Sequence, residues 1–372
     1  MPFDCIALIL QGGGALGSYQ AGVYEALAEA DLNPNWIAGT SIGAVNAAII
    51  AGNAPSERVA KLRAFWEGVT ANPMLAWAAI GEPKGNLGRN VFNQASAASA
   101  AIAGVVGFFS PRFPAPWLQP YGSLEASSYY DTRVLKRTLE RLVDFDRINA
   151  RETRFSVGSV NVRTGNFVYF DNSTRTIRPE HIMASGALPP GFPPIEIEGE
   201  HYWDGGLISN TPLQWVLDSG ARMDTLAFQV DLWSARGELP GNLMEVSTRQ
   251  KEIQYSSRTR ANTDQFKHAQ RVRNTLANVL SKLPESARNS EDFKALEAIA
   301  DRKVYNIVQL IYRSKYYEGH SKDYDFSRLS MQEHWRAGYN DATRTLRHSE
   351  VVARPANLEG LLTFDLAYDG RE

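Results

Sequence analysis

Residues 6–10 form a short, wholly apolar run, Ile-Ala-Leu-Ile-Leu, followed by Gln11 and a cluster of glycines. A run that is apolar on both alternations predicts a strand buried on both faces, as in a parallel sheet. Ala21, Tyr24, Leu27 and Ala28 then recur at helical spacing over 18–30. Residues 36–38 predict a second short strand. Residues 44–51 predict an Ala-rich helix, with Gly52 just past its end. A third helix shows its stripe in Val59, Leu62, Phe65 and Trp66, with Ser56 as its cap. Strand, helix, strand and helix joined by short links predict an α/β fold.

Further along, 81–128 is rich in Ala, Gly, Pro and aromatic residues and poor in charge. Residues 131–143 read as an amphipathic helix through Val134, Leu135, Thr138, Leu139 and Leu142. Residues 155–161 and 167–170, joined across Thr164-Gly165, predict a hairpin. Residues 185–194 read as a Pro/Gly loop, and 201–203 as a strand end running into Asp204-Gly205-Gly206. A helix capped by Thr211 with Pro212 at its first position ends at Gly220, and 226–232 is another buried strand. After about 236 the texture becomes polar and helical over 245–283 and 330–346. The one strong strand of this tail is 305–312. The expected division is an α/β domain over 4–235 and a mainly helical extension over 236–372, its strand available to the core sheet.

Composition narrows the setting. Of 372 residues, 44% are hydrophobic and 22% charged, an ordinary globular balance. The net charge of −2 provides no global field for nucleic acid. Cys5 is the single cysteine, so no intrachain disulfide forms and a reducing compartment fits. No run of 18 apolar residues occurs, and the N-terminus lacks a signal-peptide pattern. A cytoplasmic protein is expected.

Three glycine-framed motifs carry the chemistry. Gly12-Gly13-Gly14-Ala15-Leu16-Gly17 lies between a strand and a helix, where backbone N–H groups unobstructed by side chains form an anion nest. The same residues spell the dinucleotide-binding fingerprint. That reading requires an acid at the end of the second strand, where this chain has Gly39-Thr40-Ser41 instead. Gly39-Thr40-Ser41-Ile42-Gly43 has the nucleophile-elbow pattern, which projects Ser41 from a tight turn. Alone it is also a chance match, and a lone Asp204-Gly205-Gly206 is a common turn. In this order the three supply an anion nest, a projected serine and a carboxylate: the parts of a serine hydrolase. In a parallel sheet the carboxyl ends of the strands share one edge, so the groups are expected to converge there.

These motifs resemble the patatin-like phospholipase family. Ala184-Ser185-x-Ala187-x-Pro189, followed by Phe192-Pro193-Pro194, is similar to the segment before that family's aspartate. The resemblance covers about residues 4–235. It implies a three-layer α/β sandwich with a mostly parallel sheet and lipid acyl hydrolysis by a Ser–Asp dyad, with no cofactor or metal. Matched residue by residue, Ser41 is the nucleophile, Asp204 the proton acceptor, and Gly12, Gly13 and Gly14 the oxyanion loop. Gly17 closes that loop, and Gly39 and Gly43 frame the elbow. Leu16 departs from the pattern, because many members carry Arg there; no charged grip on a head group is implied at that point. The tail lies outside the shared core and resembles an extension seen in some bacterial members.

A carboxylate is a weak base unless burial raises its pKa; Trp203 and the Pro/Phe loop are the expected apolar walls. A Ser…Asp…His order through His268, His320 or His334 is the alternative, although each of the three reads as part of a solvated face. The expected partner is a lipid or fatty-acyl ester, with a small-ester or hydroxyalkanoate-oligomer esterase and a non-catalytic lipid-binding module as the other readings. Residues 95–118, free of charge over 95–109 and continuing through Phe113, Pro114, Pro116, Trp117 and Leu118, read either as a core element or as a lid touching a membrane. Residues 249–273 carry seven Lys/Arg against two Asp/Glu and read either as a solvated helix face or as a second candidate for peripheral membrane contact.

Overall fold

The computed structural model describes residues 2–71, 85–218, 222–256, 259–315, 317–357 and 359–366, except the side chains of 259–262. The strands are β1 (Cys5–Leu10), β2 (Trp36–Gly39), β3 (Ser110–Pro111), β4 (Tyr130–Asp131), β5 (Arg154–Asn161), β6 (Phe167–Asp171), β7 (Ile195–Ile197), β8 (Glu200–Asp204), β9 (Thr225–Asp231), β10 (Tyr305–Ile311) and β11 (Leu361–Phe364). The α-helices are α1 (Ser18–Glu29), α2 (Ile42–Ala51), α3 (Arg58–Val69), α4 (Gly85–Ala103), α5 (Arg133–Leu142), α6 (Phe145–Asn149), α7 (Pro179–Ser185), α8 (Leu213–Asp218), α9 (Leu243–Tyr255), α10 (Thr259–Leu280), α11 (Glu291–Ile299) and α12 (Arg328–Leu346).

Among the described residues, nine strands form one mixed, mostly parallel sheet in the order β11-β10-β9-β1-β2-β5-β8-β7, with β6 on the other edge of β5. The apolar runs of β1 and β9 explain their central places, where both faces are covered. Alternate residues of β1 face two different cores. Leu8 and Leu10 join α1, α2, α3 and α12, whereas Cys5, Ala7 and Ile9 meet α8 and Phe266 of α10. The architecture is the three-layer α/β sandwich expected.

All ten residues of α2 are buried, so it carries no amphipathic stripe and sits directly behind the elbow serine. In α3 the cap differs from expectation: Glu57, not Ser56, occupies the N-cap position, without a side-chain bond. Residues 179–185 form α7, which Pro179 at its first turn could have signalled. Gly220 and residues 81–84 lie outside the described residues.

The tail is woven into the sheet. β10 pairs in parallel with β9, and β11 with β10; the second of these strands carried no sequence signal. Helix α12 crosses α1 with backbones in contact, because a Cβ on Gly22 would lie 1.9 Å from the Trp335 carbonyl oxygen and one on Gly338 2.0 Å from that of Tyr19. No helix among the described residues is long and apolar enough to cross a membrane.

Candidate active site

The site begins where β1 and β2 end side by side, Leu10 opposite Gly39. Beyond β2 the chain turns sharply through Ser41, at φ 57° and ψ −126°. A non-glycine residue held there stores strain of about 1–3 kcal/mol, which the surroundings must offset. The restraints are visible. The Ser41 N–H donates to both the carbonyl oxygen and Oγ of Ser185, each at 3.1 Å, and Ser185 Oγ donates to the Gly158 carbonyl at 2.6 Å. A Cβ on Gly43 would sit 2.2 Å from the Leu10 carbonyl oxygen, so only glycine lets α2 start this close to β1.

Asp204 arrives by a route the sequence did not disclose. It was expected at the end of a parallel strand, but β8 is antiparallel to β5, with Asp204 opposite Ser159. Strand β5 pairs with β2 only as far as Gly39↔Val157. Residues 156–160 of β5 pair with β6 on the other side, so β2 and β8 share one edge of β5 end to end. Ser41 and Asp204 meet in the gap between them. The Ser41 hydroxyl stands beside the Asp204 carboxyl and lowers its proton affinity, and the carboxyl accepts from the Gly206 N–H at 2.7 Å. Asp204 is fully buried, and burial pushes its pKa up to about 7 against the opposing pull of these two neighbours.

The glycine loop stands on the other side of the serine. A Cβ on Gly12 would come within 2.9 Å of Ser41 Cβ. Asn210 straps this loop: its Nδ2 donates to the carbonyls of Gly12 (3.0 Å) and Tyr255 (2.9 Å), while Trp233 Nε1 donates to Gly12 at 3.0 Å. The Gly12 N–H is used by the Asn210 carbonyl at 3.3 Å. Gly13 and Gly14 border the same cavity as Ser41 and Asp204. Gly17 lies behind it, where a Cβ would meet Ile42 and Trp66. Leu16 is fully buried in the core.

The cavity holds about 820 Å³ of open space, mouth included. Val45, Phe108, Phe109, Leu135, Leu188 and Phe192 provide apolar wall. Trp203 does not line it; as the strand neighbour of Asp204 it points to the opposite face. Tyr255, Asp323, Tyr324 and Phe326 come from the tail, and no spacing in the sequence marked them. The Asp323 carbonyl oxygen would lie 2.3 Å from a Cβ on Gly14, so this tail loop sits on the glycine loop. Among the described lining residues the charged ones are Asp204 and Asp323, and none is histidine.

The three alternative histidines are elsewhere. His268 and His320 are exposed. His334, expected on a solvated face, is instead buried against Glu318, Nε2 to Oε1 3.1 Å. Helix α12 turns that face onto α1 and β10. Among the described residues no group of three or more His, Cys, Asp or Glu converges to hold a metal.

A family model described as Patatin-like phospholipase matches residues 8–217, and one described as Patatin phospholipase matches residues 253–358, within the tail. No curated protein matches. Among solved structures, VipD from Legionella pneumophila is 14% identical over 97% of this chain and 72% of that chain, with a TM-score of 0.37. A chain of the heterodimeric ExoU–SpcU complex from the type III secretion system of Pseudomonas aeruginosa is 16% identical over 93% of this chain and 70% of that one, with a TM-score of 0.29. With the Patatin-like phospholipase model matching more than half of its length, the chain belongs to the patatin-like phospholipase family, a family of lipid hydrolases.

Proposed function

We propose that this chain hydrolyses lipid acyl esters through a Ser41–Asp204 dyad. The observation that carries this reading is the meeting of Ser41 with the buried Asp204 carboxyl where β2 and β8 share one edge of β5, burial raising that carboxyl to about 7. A base of that strength is half ionised near neutrality and matched to the task. Ser41 Oγ attacks the ester carbonyl carbon and its proton passes to Asp204. The N–H groups of Gly13 and Gly14 hold the oxyanion, a type of contact worth about 3–4 kcal/mol per donor. As the tetrahedral intermediate collapses, the alcohol leaves with the proton from Asp204, giving an acyl-enzyme. Water then gives a proton to Asp204 and attacks the acyl carbon, and Ser41 leaves, recovering that proton.

The apolar wall formed by Val45, Phe108, Phe109 and Leu135 suits an acyl chain. Residues 236–372 act in this reading as an extension that completes the cavity through Tyr255, Tyr324 and Phe326. One observation favours a second reading, an esterase for uncharged or oligomeric hydroxyalkanoate esters: the described lining residues include no Lys, Arg or His to hold an anionic phosphate inside the cavity. Hydrolysis of a p-nitrophenyl ester series from acetate to palmitate, with a phospholipid panel, separates the two. A maximum at medium or long chains with phospholipid turnover supports the first; a maximum at acetate without it supports the second. Ser41→Ala should abolish turnover in either case with the circular dichroism unchanged, and retained turnover would remove both.

A further inference from the structure

We propose that the loop 112–129 is a lipid-docking lip through which this chain seats on an uncharged bilayer surface beside the cavity mouth. The inference rests on the lipid-hydrolase reading for the identity of the surface. The base of the loop is built into the cavity wall. Strands β3 and β4 pair Ser110 with Asp131, and Arg112 N–H donates to the Tyr129 carbonyl at 3.0 Å. The backbone N–H groups of Tyr129 and Tyr130 donate to the carbonyls of Pro190 and Gly191 at 3.1 and 2.9 Å. Phe109 packs on Tyr130 and Phe192, with ring centroids 4.7 and 5.1 Å apart. Phe109, Gly191 and Phe192 all line the cavity.

Beyond this base the loop turns its large apolar side chains outward. Phe113 is 98% exposed, Trp117 76%, Leu118 70% and Tyr121 105%. The backbone is held in that form by its own bonds: Leu118 N–H to the Ala115 carbonyl (2.9 Å) and Gln119 Nε2 to the Pro114 carbonyl (2.8 Å). Residues 113–124 contain no Asp, Glu, Lys or Arg. Leaving such a surface in water is costly, and exposed apolar patches mark contact sites. Further exposed apolar residues, Leu207 and Ile208, follow directly on Gly206 at the cavity.

A bilayer fits this surface better than a protein or an anionic polymer. Trp and Tyr favour the interface of a membrane, where an apolar ring and a polar tip are both satisfied. The lip also adjoins the cavity that must receive an acyl chain from such a surface. Of the segment 95–118 that the sequence suggested for this task, the part from Phe113 on forms the exposed lip, and the described Lys and Arg side chains of the basic run are engaged in ion pairs. Phe108 and Phe109 are buried in the wall. Of the basic run, Arg249 pairs with Glu252, Lys251 with Asp323, Lys267 with Glu359 and Arg273 with Asp218; Arg258 and the side chain of Arg260 lie outside the description. Docking by the lip is therefore apolar and resistant to salt.

The test is sedimentation of the full chain with phosphatidylcholine vesicles, comparing it with the Phe113→Ser/Trp117→Ser/Tyr121→Ser variant. The unaltered chain should sediment about equally at low and high salt, because screening acts on charge pairs and not on apolar burial. The variant should lose at least about tenfold in partitioning, a change of about 1.4 kcal/mol, while its turnover of the soluble ester p-nitrophenyl butyrate stays unchanged. Undiminished sedimentation of the variant overturns the proposal, as does binding that high salt abolishes. A concentration-dependent dimer of the unaltered chain that the variant loses also overturns it, in favour of a second copy as occupant. Failure of the hydrolase reading shows separately, as absent soluble-ester turnover in the unaltered chain; Ser41→Ala should sediment normally.

Discussion

At the scale of single residues, the proposed reaction asks Asp204 to serve two opposed ends. A carboxyl pushed up to about 7 by burial is a competent base near neutrality and a burden on the fold once ionised. A carboxyl whose proton affinity rises on folding stabilises the fold below its unfolded value near 4, and that contribution is lost as pH rises through 7. Each tenfold in proton affinity corresponds to about 1.4 kcal/mol. Asp204→Asn keeps the shape and never ionises. It should be more stable than the unaltered chain by on the order of 2–4 kcal/mol at about pH 8, and equal to it near about pH 4. Urea midpoints at the two pH values decide this; a variant less stable at the higher pH would mean that the fold compensates the carboxylate. The residue was visible in the sequence because glycines follow it. Asn210 and Ser185, which hold the glycine loop and the elbow in place, were not seen as site residues, because an amide or hydroxyl bonded to a distant carbonyl leaves no local pattern.

At the scale of elements, the elbow depends on backbone approaching backbone. A Cβ on Gly43 would lie 2.2 Å from the Leu10 carbonyl oxygen and 2.8 Å from that of Gln11, and strand β1 is paired on both sides and unable to give way. Gly43→Ala should cost about 2 kcal/mol or more and remove ester turnover. Gly68 in α3 is the contrast: a Cβ there meets nothing within 4 Å, so Gly68→Ala should stabilise by about 0.5–1 kcal/mol with turnover unchanged. Chemical unfolding of both variants tests the pair, and a harmless Gly43→Ala would sink this view of the elbow. The same contacts explain why elbow and glycine loop were legible: where no side chain fits, glycine is written into the sequence. The direction of β8 was not legible, since strand pairing across 43 residues has no local signature.

At the scale of the whole molecule, the alternation of strands and helices disclosed the layered fold, and residues 305–312 disclosed a strand of the tail. The depth of the tail's involvement stayed hidden. Tyr255 ends α9, and Tyr324 and Phe326 lie in the turn before α12, yet all three reach one cavity with Ser41. The basic run looked like a free field because its acidic partners, Asp218, Asp323 and Glu359, lie outside it in sequence. Sheet and tail together place one serine against one buried carboxyl. That Asp204 takes the proton of Ser41 is tested most directly by fluorophosphonate labelling across pH, read by mass spectrometry. A single adduct on Ser41 is expected, forming at a rate that rises with pH, levels off above about 7 and falls at least about a hundredfold in Asp204→Asn. An adduct on another residue, or an Asp204→Asn variant that labels at the unaltered rate, would contradict it.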